Sequence, residues 1–381
     1  MTTIPHRELR RAYGFDEVAI VPGDITVNPD QTDIELKIGE ITFALPVLAA
    51  AMDAVVDPTF AILFNKLGGM PVLNLEGIQT KYDNPAEALE EITQAPPSQA
   101  TPLLQKIYSL PIKENLVGER VRAIKRGGAR CIVSVTPANA KKLAPLAIEA
   151  GADILVVQST VTTARHVSKS YKGLTFTELQ QAVRIPVLVG NCVSYEAALE
   201  LMRTGIAGIL VGVGPGAACT SREVLGVGVP QVTATMDCAA ARDTYFQESG
   251  KYVAVITDGG FRTGGDICKA IAAGADAVML GSLFAQAKEA PGRGYHWGMA
   301  SPHPSLPRGT RVKVGIKGSL EQILFGPTTV TGGSENLIGA LRTCMGVCGA
   351  FNIKDMHKTQ IVIAPAIKTE GKHLQAAQQC G

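Results

Sequence analysis

The sequence predicts an α/β protein built as a (β/α)8 TIM barrel, in which eight parallel strands alternate with helices. Three observations carry this prediction: eight short apolar runs spaced along the 381 residues, helical patterns between several of them, and one phrase that occurs twice. Buried parallel strands form continuous apolar runs, and eight such strands with intervening helices match this barrel. An open doubly wound sheet is the alternative.

Each apolar run is bounded by Gly, Asp or Pro, which commonly flank strands. We assign strands to residues 46–52, 70–75, 131–135, 153–158, 186–191, 208–213, 252–259 and 277–281. An open sheet should carry a glycine-rich dinucleotide fingerprint after its first strand. The first run is followed instead by residues 53–56, which contain no glycine. This difference favours the barrel.

Local signals bound three of the helices between these runs, because Ser and Pro are favoured at helix N-termini and Gly at C-termini. We expect helices within residues 136–151, 194–205 and 266–274. The phrase Ala-Gly-Ala-Asp occurs at 150–153 and again at 273–276, each time between a helix and a strand. This weak repeat fits a fold made of equivalent units.

We expect one catalytic domain over residues 1–381, with two segments that depart from the repeating unit. Residues 76–130 are a long connection after the second strand, with a polar, Pro-containing stretch and one or two helices. Residues 289–318 are rich in Gly, Pro, Arg and His, which predicts a surface flap at the active site. His303 and Arg308 are expected on a mobile part of this flap, because three nearby prolines interrupt regular structure.

The composition of the chain limits which classes of binding partner we expect. Hydrophobic residues make up 46% of the chain and charged residues 18%, so a large core can form. The net charge of +2 and the 5% of aromatic residues give no reason to expect nucleic-acid or membrane binding. The eight cysteines lack the spacing of a disulfide framework, and no signal segment is visible. We therefore expect free thiols, no zinc site and a cytoplasmic location.

The strand assignments place candidate binding residues at one end of the barrel. Active sites of such barrels lie at the C-terminal strand ends, often with a phosphate site after strands seven and eight. Strand seven ends at Asp258 and Gly260, and strand eight at Gly281 and Ser282. Their backbone N–H groups can approach an anion, whereas Asp258 would accept hydrogen bonds from ribose hydroxyls. The alternative is that these glycines only form tight turns.

The connection after strand six is the strongest single signal. It reads GVGPGAACTSR over residues 212–222 and places Cys219 at the end of a glycine-rich loop. Loop N–H groups and a cation such as Arg222 would favour a reactive thiolate there. A lone cysteine is more often a small buried hydrophobic residue, and that alternative stays open.

Several separated motifs resemble the IMP dehydrogenase/GMP reductase family, in the same order from about residue 13 to residue 350. The cysteine loop and the GVGVPQ that follows it at 226–231 resemble the catalytic loop of that family. The other matching segments are YGFDEVAIVPG (13–23), AAMDAVVDP (50–58), VGNC (189–192), TDGGFRTGGDICKAIAAGADAVMLGS (257–282), WGMAS (297–301) and LRTCMGVCGA (341–350). The resemblance implies a barrel that binds a purine nucleoside monophosphate and a nicotinamide dinucleotide.

The resemblance also implies roles for individual residues. Cys219 would attack purine C2, with Thr220 and Ser221 beside it in the catalytic group. The implied substrate contacts are Met52, Gly216, Asp258, Gly260, Gly281, Ser282, Gly298 and Met299, and the implied cofactor contacts are Gln158, Ser159, Asn191 and Gly212. Carbonyls of Gly214, Gly216 and Cys219 match the family's potassium site. A homotetramer or octamer is implied as well.

Some positions depart from the family pattern. Residues 76–130 are too few for the regulatory CBS pair that family dehydrogenases usually carry there. Ala217 replaces a phosphate-binding Ser, His296 replaces a Tyr of the phosphate motif, and Gln158 replaces an Asp for the cofactor ribose. Arg308 stands where a Glu or Gln usually contacts the base.

The sequence of the flap indicates whether the enzyme would oxidise IMP or reduce GMP. Family dehydrogenases carry an Arg-Tyr pair there to activate water, and residues 300–316 contain no such pair. The sequence therefore favours a GMP reductase that converts GMP to IMP and ammonia with NADPH. An IMP dehydrogenase that uses NAD is the alternative. A catalytically silent nucleotide-binding subunit is a third, although such a subunit would not need Cys219.

Overall fold

A closed eight-stranded parallel barrel forms the centre of the molecule in the computed structural model, which describes residues 9–167, 174–298 and 309–365. The barrel strands are β1 (Val47–Ala49), β2 (Met70–Asn74), β3 (Ile132–Val135), β4 (Ile154–Gln158), β5 (Val187–Cys192), β6 (Gly208–Val211), β7 (Ala254–Asp258) and β8 (Ala277–Leu280). Seven of these strands lie inside the predicted runs, and β5 extends one residue beyond its run. The (β/α)8 prediction is confirmed, and the open sheet is excluded because β8 pairs with β1.

Alternate residues along each strand face two different cores. In β4, Ile154 and Val156 belong to the cluster inside the barrel, whereas Leu155 and Val157 pack outward against the helices. A hairpin of Leu36–Ile38 and Ile41–Phe43 adds apolar side chains to the inner cluster. The strands are therefore apolar on both faces, which is why they appear as unbroken apolar runs.

Fourteen α-helices occur in the described parts of the chain. They are α1 (Pro58–Lys66), α2 (Ile78–Lys81), α3 (Pro85–Gln94), α4 (Pro97–Tyr108), α5 (Glu114–Arg126), α6 (Ala140–Glu149), α7 (Phe176–Ala182), α8 (Tyr195–Met202), α9 (Ser221–Leu225), α10 (Gln231–Ser249), α11 (Gly264–Ala272), α12 (Leu320–Phe325), α13 (Leu337–Val347) and α14 (Ile353–Met356). Ser194 caps α8 as expected, and Thr263 caps α11. None of the described helices has both the length and the apolar character that a bilayer crossing requires.

The connection between β2 and β3 contains four helices, α2 to α5, where the sequence predicted one or two. Its polar, Pro-containing stretch ends α3 and begins α4: Pro97 occupies the first turn of α4, where a proline costs no backbone hydrogen bond, whereas Pro102 lies inside that helix. Helix α5 packs on α1 and α6 as a barrel helix. Helices α2 to α4 form a separate apolar cluster that includes Ile92, Leu104 and Trp297. We call residues 76–113 the helical insert.

The described part of residues 289–318 contains a two-stranded antiparallel ribbon, Tyr295–Trp297 paired with Arg311–Lys313. His296 and Trp297 are 1% and 2% exposed. These two side chains pack inward, whereas the partner strand Arg311–Lys313 is partly exposed. Met299, His303 and Arg308 lie outside the described residues, and the flap itself stays a prediction.

Candidate active site

A cavity of about 430 Å³ opens at the C-terminal ends of the barrel strands, where the sequence placed the site. Most of the predicted site residues line it: Met52, Gln158, Ser159, Asn191, Gly212, Gly214, Gly216, Cys219, Asp258, Gly260, Gly281, Ser282 and Gly298. Thr220 and Ser221 follow Cys219 and are not part of this lining. Residues that sequence reasoning did not assign also line it, among them Thr136, Thr160 and Phe261.

Cys219 stands at the end of the loop that follows β6. It is half-buried, and its Sγ lies 3.2 Å from the Oγ of Ser221, the fully buried first residue of α9. The Cys219 thiol thus faces the cavity on one side and lies next to the Ser221 hydroxyl on the other. The seven cysteines among the described residues are all free thiols. This arrangement can supply a nucleophile with a neighbouring group that exchanges a proton.

Arg222 closes the cysteine loop. Its guanidinium donates hydrogen bonds to the carbonyl oxygens of Val213 (3.1 Å) and Val229 (2.9 Å), one on each side of the loop. These bonds direct the guanidinium to the loop backbone, and its effect on the Cys219 thiolate stays a prediction. Gly214 has a φ of +73°, and a Cβ there would lie 2.6 Å from Arg222. Gly214 must therefore be a glycine for Arg222 to close the loop in this way.

The chain that returns from the flap is attached to the same loop. Gly309 forms an isolated antiparallel bridge with Cys219, and the Thr310 N–H donates to the Ala218 carbonyl at 3.0 Å. Cys219 is therefore fixed from two directions, by its own loop and by the segment that leads into the ribbon.

Asp258 is the centre of a hydrogen-bonded group at the ends of β4, β5 and β7. The side-chain amides of Gln158 and Asn191 both donate to its Oδ2, at 2.9 and 2.8 Å, and Gln158 also donates to Asn191 at 3.0 Å. Burial raises the pKa of Asp258 to about 6, and the two amide hydrogen bonds oppose that rise. Residues that the sequence assigned separately to ribose and cofactor thus form one group.

Gln158 retains an unused acceptor. Its Nε2 faces two acceptor oxygens, which fixes the orientation of the amide and leaves Oε1 buried with no hydrogen-bond partner among the described residues. A buried acceptor without a partner is costly. A ligand with an N–H donor can remove that cost by binding here.

Gln231 ends the GVGVPQ motif, and the sequence did not predict a role for it. It is 4% exposed, and its Nε2 donates to carbonyl oxygens of Val211, Asp258 and Gly259, at 3.3, 2.9 and 3.2 Å. It therefore fixes the end of β6 against the end of β7. The Pro-Gln start of α10 is the sequence signal that could have indicated it, since this places the side chain at a helix N-terminus beside the strand ends.

Ser282 and His296 meet at the opposite side of the cavity. Ser282 Oγ lies 2.9 Å from His296 Nε2, and both residues line the cavity. Burial lowers the pKa of His296 to about 4, so the ring is neutral at pH 7. Its Nδ1 is buried and has no partner in the part of the chain that the structure describes.

The described residues bring together no group of three His, Cys, Asp or Glu side chains that could hold a metal ion, including at Cys344 and Cys348. The potassium site predicted at Gly214, Gly216 and Cys219 would use carbonyls and so is a separate case. The Gly216 carbonyl already accepts a hydrogen bond from the Cys219 N–H at 3.0 Å. Potassium binding stays a prediction.

Comparison with known proteins shows the family. Residues 12–373 match the IMP dehydrogenase / GMP reductase domain. The chain therefore belongs to the IMP dehydrogenase/GMP reductase family. An uncharacterized oxidoreductase from Mycolicibacterium smegmatis is 39% identical over 366 residues, which cover 94% of this chain and 98% of that protein. The family assignment agrees with the motifs that the sequence presents.

Two further members of the IMP dehydrogenase/GMP reductase family are similar to this chain. An inosine-5'-monophosphate dehydrogenase from Cryptosporidium parvum is 28% identical over 393 residues, with 92% of each chain covered. A crystal structure of an IMP dehydrogenase/GMP reductase-like protein from Corynebacterium glutamicum has a TM-score of 0.89 and 37% identity, and covers 94% of this chain and 95% of its own. The protein is thus an oxidoreductase of this family with the family's barrel.

Proposed function

We propose that this protein binds a purine nucleoside 5'-monophosphate and acts at C2 of the base through a covalent bond to Cys219. The observation that carries the proposal is the position of Cys219, half-buried at the cavity with its Sγ 3.2 Å from Ser221. A thiolate is a strong nucleophile, and the Ser221 hydroxyl can exchange its proton. Thr220 completes the catalytic segment.

The proposed phosphate site lies after β7 and β8. Gly260, Gly281, Ser282 and Gly216 line the cavity there, and their N–H groups and the Ser282 hydroxyl suit an anion. Gly260 has a φ of +86°, which presents its backbone in a conformation that other residues rarely adopt. His296 supplies a ring nitrogen to Ser282 and an unused Nδ1.

The ribose and base would occupy the space between this site and Cys219. Asp258, as a carboxylate, accepts hydrogen bonds from the ribose hydroxyls. Met52 and Gly298 line the cavity on the base side, and Met299 follows Gly298 directly in sequence. Met52 lies close to Gly281, where an added Cβ would be 2.8 Å from its Sδ, so base and phosphate sites are adjacent.

The residues on the side of a nicotinamide dinucleotide would be Gln158, Ser159, Asn191 and Gly212, and the chemistry that this group would supply is hydride exchange with purine C2. The described residues fit the group, because the unpartnered Gln158 Oε1 can accept a hydrogen bond from a carboxamide. Gln158 and Asn191 orient such a group and also hold Asp258. The carbonyls of Gly214, Gly216 and Cys219 are the proposed potassium ligands.

For the direction of the reaction, we propose oxidation of IMP to XMP with NAD. The Cys219 thiolate would add to C2, the C2 hydrogen would leave as hydride with NAD as its acceptor, and water would then add to C2 as the C–S bond breaks and the thiolate is released. Among the described residues, the Ser221 hydroxyl has Cys219 as its side-chain partner and no carboxylate, so no hydroxyl–carboxylate pair stands ready to expel ammonia. The named activity of the Cryptosporidium relative also supports this direction.

Reduction of GMP to IMP with NADPH is the second candidate. One observation favours it: residues 300–316 contain no Arg-Tyr pair to activate the water that hydrolysis requires. In this direction the Cys219 thiolate would add to C2, ammonia would leave from C2, and a hydride supplied by NADPH would then add to C2 as the C–S bond breaks and the thiolate is released. General acid–base catalysis typically contributes about 10²–10⁴-fold, so the missing pair would slow the dehydrogenase direction.

Nicotinamide absorbance separates the candidates. The full-length protein is incubated with IMP plus NAD and, separately, with GMP plus NADPH, each with and without potassium. Faster NAD reduction supports the dehydrogenase, and faster NADPH oxidation supports the reductase. Binding of both nucleotides with no absorbance change in either mixture would support a silent subunit and overturn the proposed chemistry. The same protein, run by gel filtration with light scattering, tests the predicted tetramer or octamer, and cell fractionation tests the cytoplasmic location.

A further inference from the structure

The sole tryptophan of the chain, Trp297, lies where the helical insert meets the ribbon. It is 2% exposed and belongs to the apolar cluster of the insert, together with Ile92 and Leu104. Its two neighbours in sequence, His296 and Gly298, both line the cavity. The side chain of Trp297 is therefore anchored in the insert, while the residues on either side of it form part of the cavity wall.

Tyr108 connects Trp297 to a second wall of the cavity. The Trp297 indole N–H donates to the Tyr108 hydroxyl at 2.6 Å, and that hydroxyl donates to Asp53 Oδ2 at 2.5 Å. Asp53 is 2% exposed and follows Met52, which lines the cavity. One hydroxyl at the C-terminal end of α4 thus joins two segments of the cavity wall that are more than 240 residues apart in sequence.

The Asp53 segment is held tightly on its other sides. Asn74, at the end of β2, contacts the same carboxylate oxygen at 3.5 Å. Gly77 packs against the carboxylate so closely that a Cβ would lie 2.0 Å from Oδ2. The Ala54 carbonyl accepts a hydrogen bond from the Gly292 N–H at 2.9 Å, just before the ribbon. Tyr108 therefore completes a group whose other members have little freedom to move.

Arg311 attaches the second strand of the ribbon to the insert. Its guanidinium donates to the carbonyl oxygens of Ile92 and Ala95, at the C-terminal end of α3, where a positive charge is favoured. The guanidinium also lies 4.8 Å from the ring centroid of Tyr295. Both strands of the ribbon are thus bound to the insert, one through Tyr108 and one through Arg311.

We propose that Tyr108 is a positioning residue, whose hydroxyl sets the ribbon that carries His296 and Gly298 at a fixed distance from the segment that carries Met52. In this family member the short insert after β2 is then part of the active-site framework. The effect on nucleotide binding rests on the proposed function. The effect on the ribbon itself does not, and the two are tested separately.

Tyr108→Phe removes one hydroxyl and leaves the Trp297 N–H without its acceptor. Tyr82→Phe is the matched control, because the Tyr82 hydroxyl donates within the insert, to the Ile107 carbonyl at 3.3 Å, and makes no hydrogen bond to the described residues of the ribbon. In the ligand-free protein, we expect Tyr108→Phe to shift Trp297 emission to longer wavelength and to increase quenching by acrylamide. Tyr82→Phe should change neither. These readings need no nucleotide.

Calorimetric titration with IMP gives the second reading. We expect Tyr108→Phe to bind IMP roughly fivefold more weakly, the loss that one net hydrogen bond represents, and Tyr82→Phe to bind as the wild type does. If Tyr108→Phe does not fold, Trp297→Phe removes the donor instead of the acceptor and should weaken IMP binding similarly. Equal emission, quenching and affinity in the two tyrosine variants would overturn the proposal. Failure of the wild type to bind IMP or GMP would overturn the proposed function and leave the emission test valid.

Discussion

A carboxylate with a raised pKa lies on each of two sides of the barrel mouth, Asp258 on one and Asp53 on the other, and of these two only Asp258 lines the cavity. Asp258 accepts hydrogen bonds from the amides of Gln158 and Asn191 and lines the cavity. Asp53 accepts from Tyr108 and Asn74 and lies behind Met52, outside the cavity lining. Burial raises the pKa of both. A perturbed carboxylate therefore does not by itself identify the site.

The hydrogen-bond partners of the two carboxylates explain why the two sides differ. On the Asp258 side, Gln158 keeps a buried acceptor unused, which suits exchange with a ligand. On the Asp53 side, the partner hydroxyl belongs to a helix with its own apolar cluster, and an indole N–H completes its hydrogen bonding. We therefore expect the Asp258 side to bind a ligand and the Asp53 side to hold segments of the cavity wall in position. The comparison predicts that substitutions on the first side change activity, whereas those on the second change stability or position.

Cys219→Ala gives the largest expected effect. Turnover should fall at least about 10³-fold because no other described thiol lines the cavity. The free energy of unfolding should change by less than about 0.5 kcal/mol, since the side chain is small and half-buried. Steady-state assays and urea denaturation measure the two quantities. Cys348→Ala removes a partly exposed thiol outside the cavity and should leave turnover unchanged. Normal turnover in Cys219→Ala would refute its role.

Leu104→Ala tests the Asp53 side, where the helical insert packs against the barrel mouth. Leu104 is 1% exposed in the apolar cluster of the insert, so the truncation should lower the free energy of unfolding by about 2–4 kcal/mol. Leu110→Ala, at a position 42% exposed, is the control and should cost less than about 0.5 kcal/mol. Equal urea midpoints for the two variants would show that the insert contributes little to stability.

Asp258→Asn should stabilise the ligand-free protein at neutral pH. The folded pKa of about 6 lies above the ordinary value of 3.8, so the native state binds more protons between these values and its stability falls as pH rises through that window. The charge therefore costs about 1–3 kcal/mol above pH 6, with the lower figure reflecting solvent in the cavity. Asn removes this cost. Thermal unfolding at pH 7.5 and pH 5 should show a gain that is smaller at pH 5. A gain that does not vary with pH would contradict the assignment.

Ser221→Ala should have the smallest effect. Loss of the hydroxyl beside Cys219 should reduce kcat about five- to tenfold, as expected for one hydrogen bond, with little change in KM. Ser194→Ala removes a helix-capping hydroxyl on α8 and should lower stability by about 1 kcal/mol without changing kcat. If both variants lower kcat equally, the Ser221 effect is one of stability and not of proton exchange.

Much of the cavity side could be predicted because its signals are local. Cys219 follows a glycine-rich loop, and Asp258, Gly281 and Ser282 stand directly at strand ends. Gln231 was not assigned, because its contacts run to Val211 and Gly259, 20 and 28 residues away. Tyr108 could not be predicted at all. It lies at a helix end with no motif, 55 residues from Asp53 and 189 from Trp297.

The sequence by itself determined the barrel, its eight strands and the strand ends at which the cavity opens, since apolar runs and strand-end glycines act over a few residues. The tertiary structure decided which carboxylate faces the cavity, that Arg222 closes the cysteine loop, and that the ribbon residue Trp297 is buried against the helical insert. The physical reason is closure of the barrel. Once β8 pairs with β1, segments far apart in sequence meet at one rim, and the contacts between them depend on that geometry.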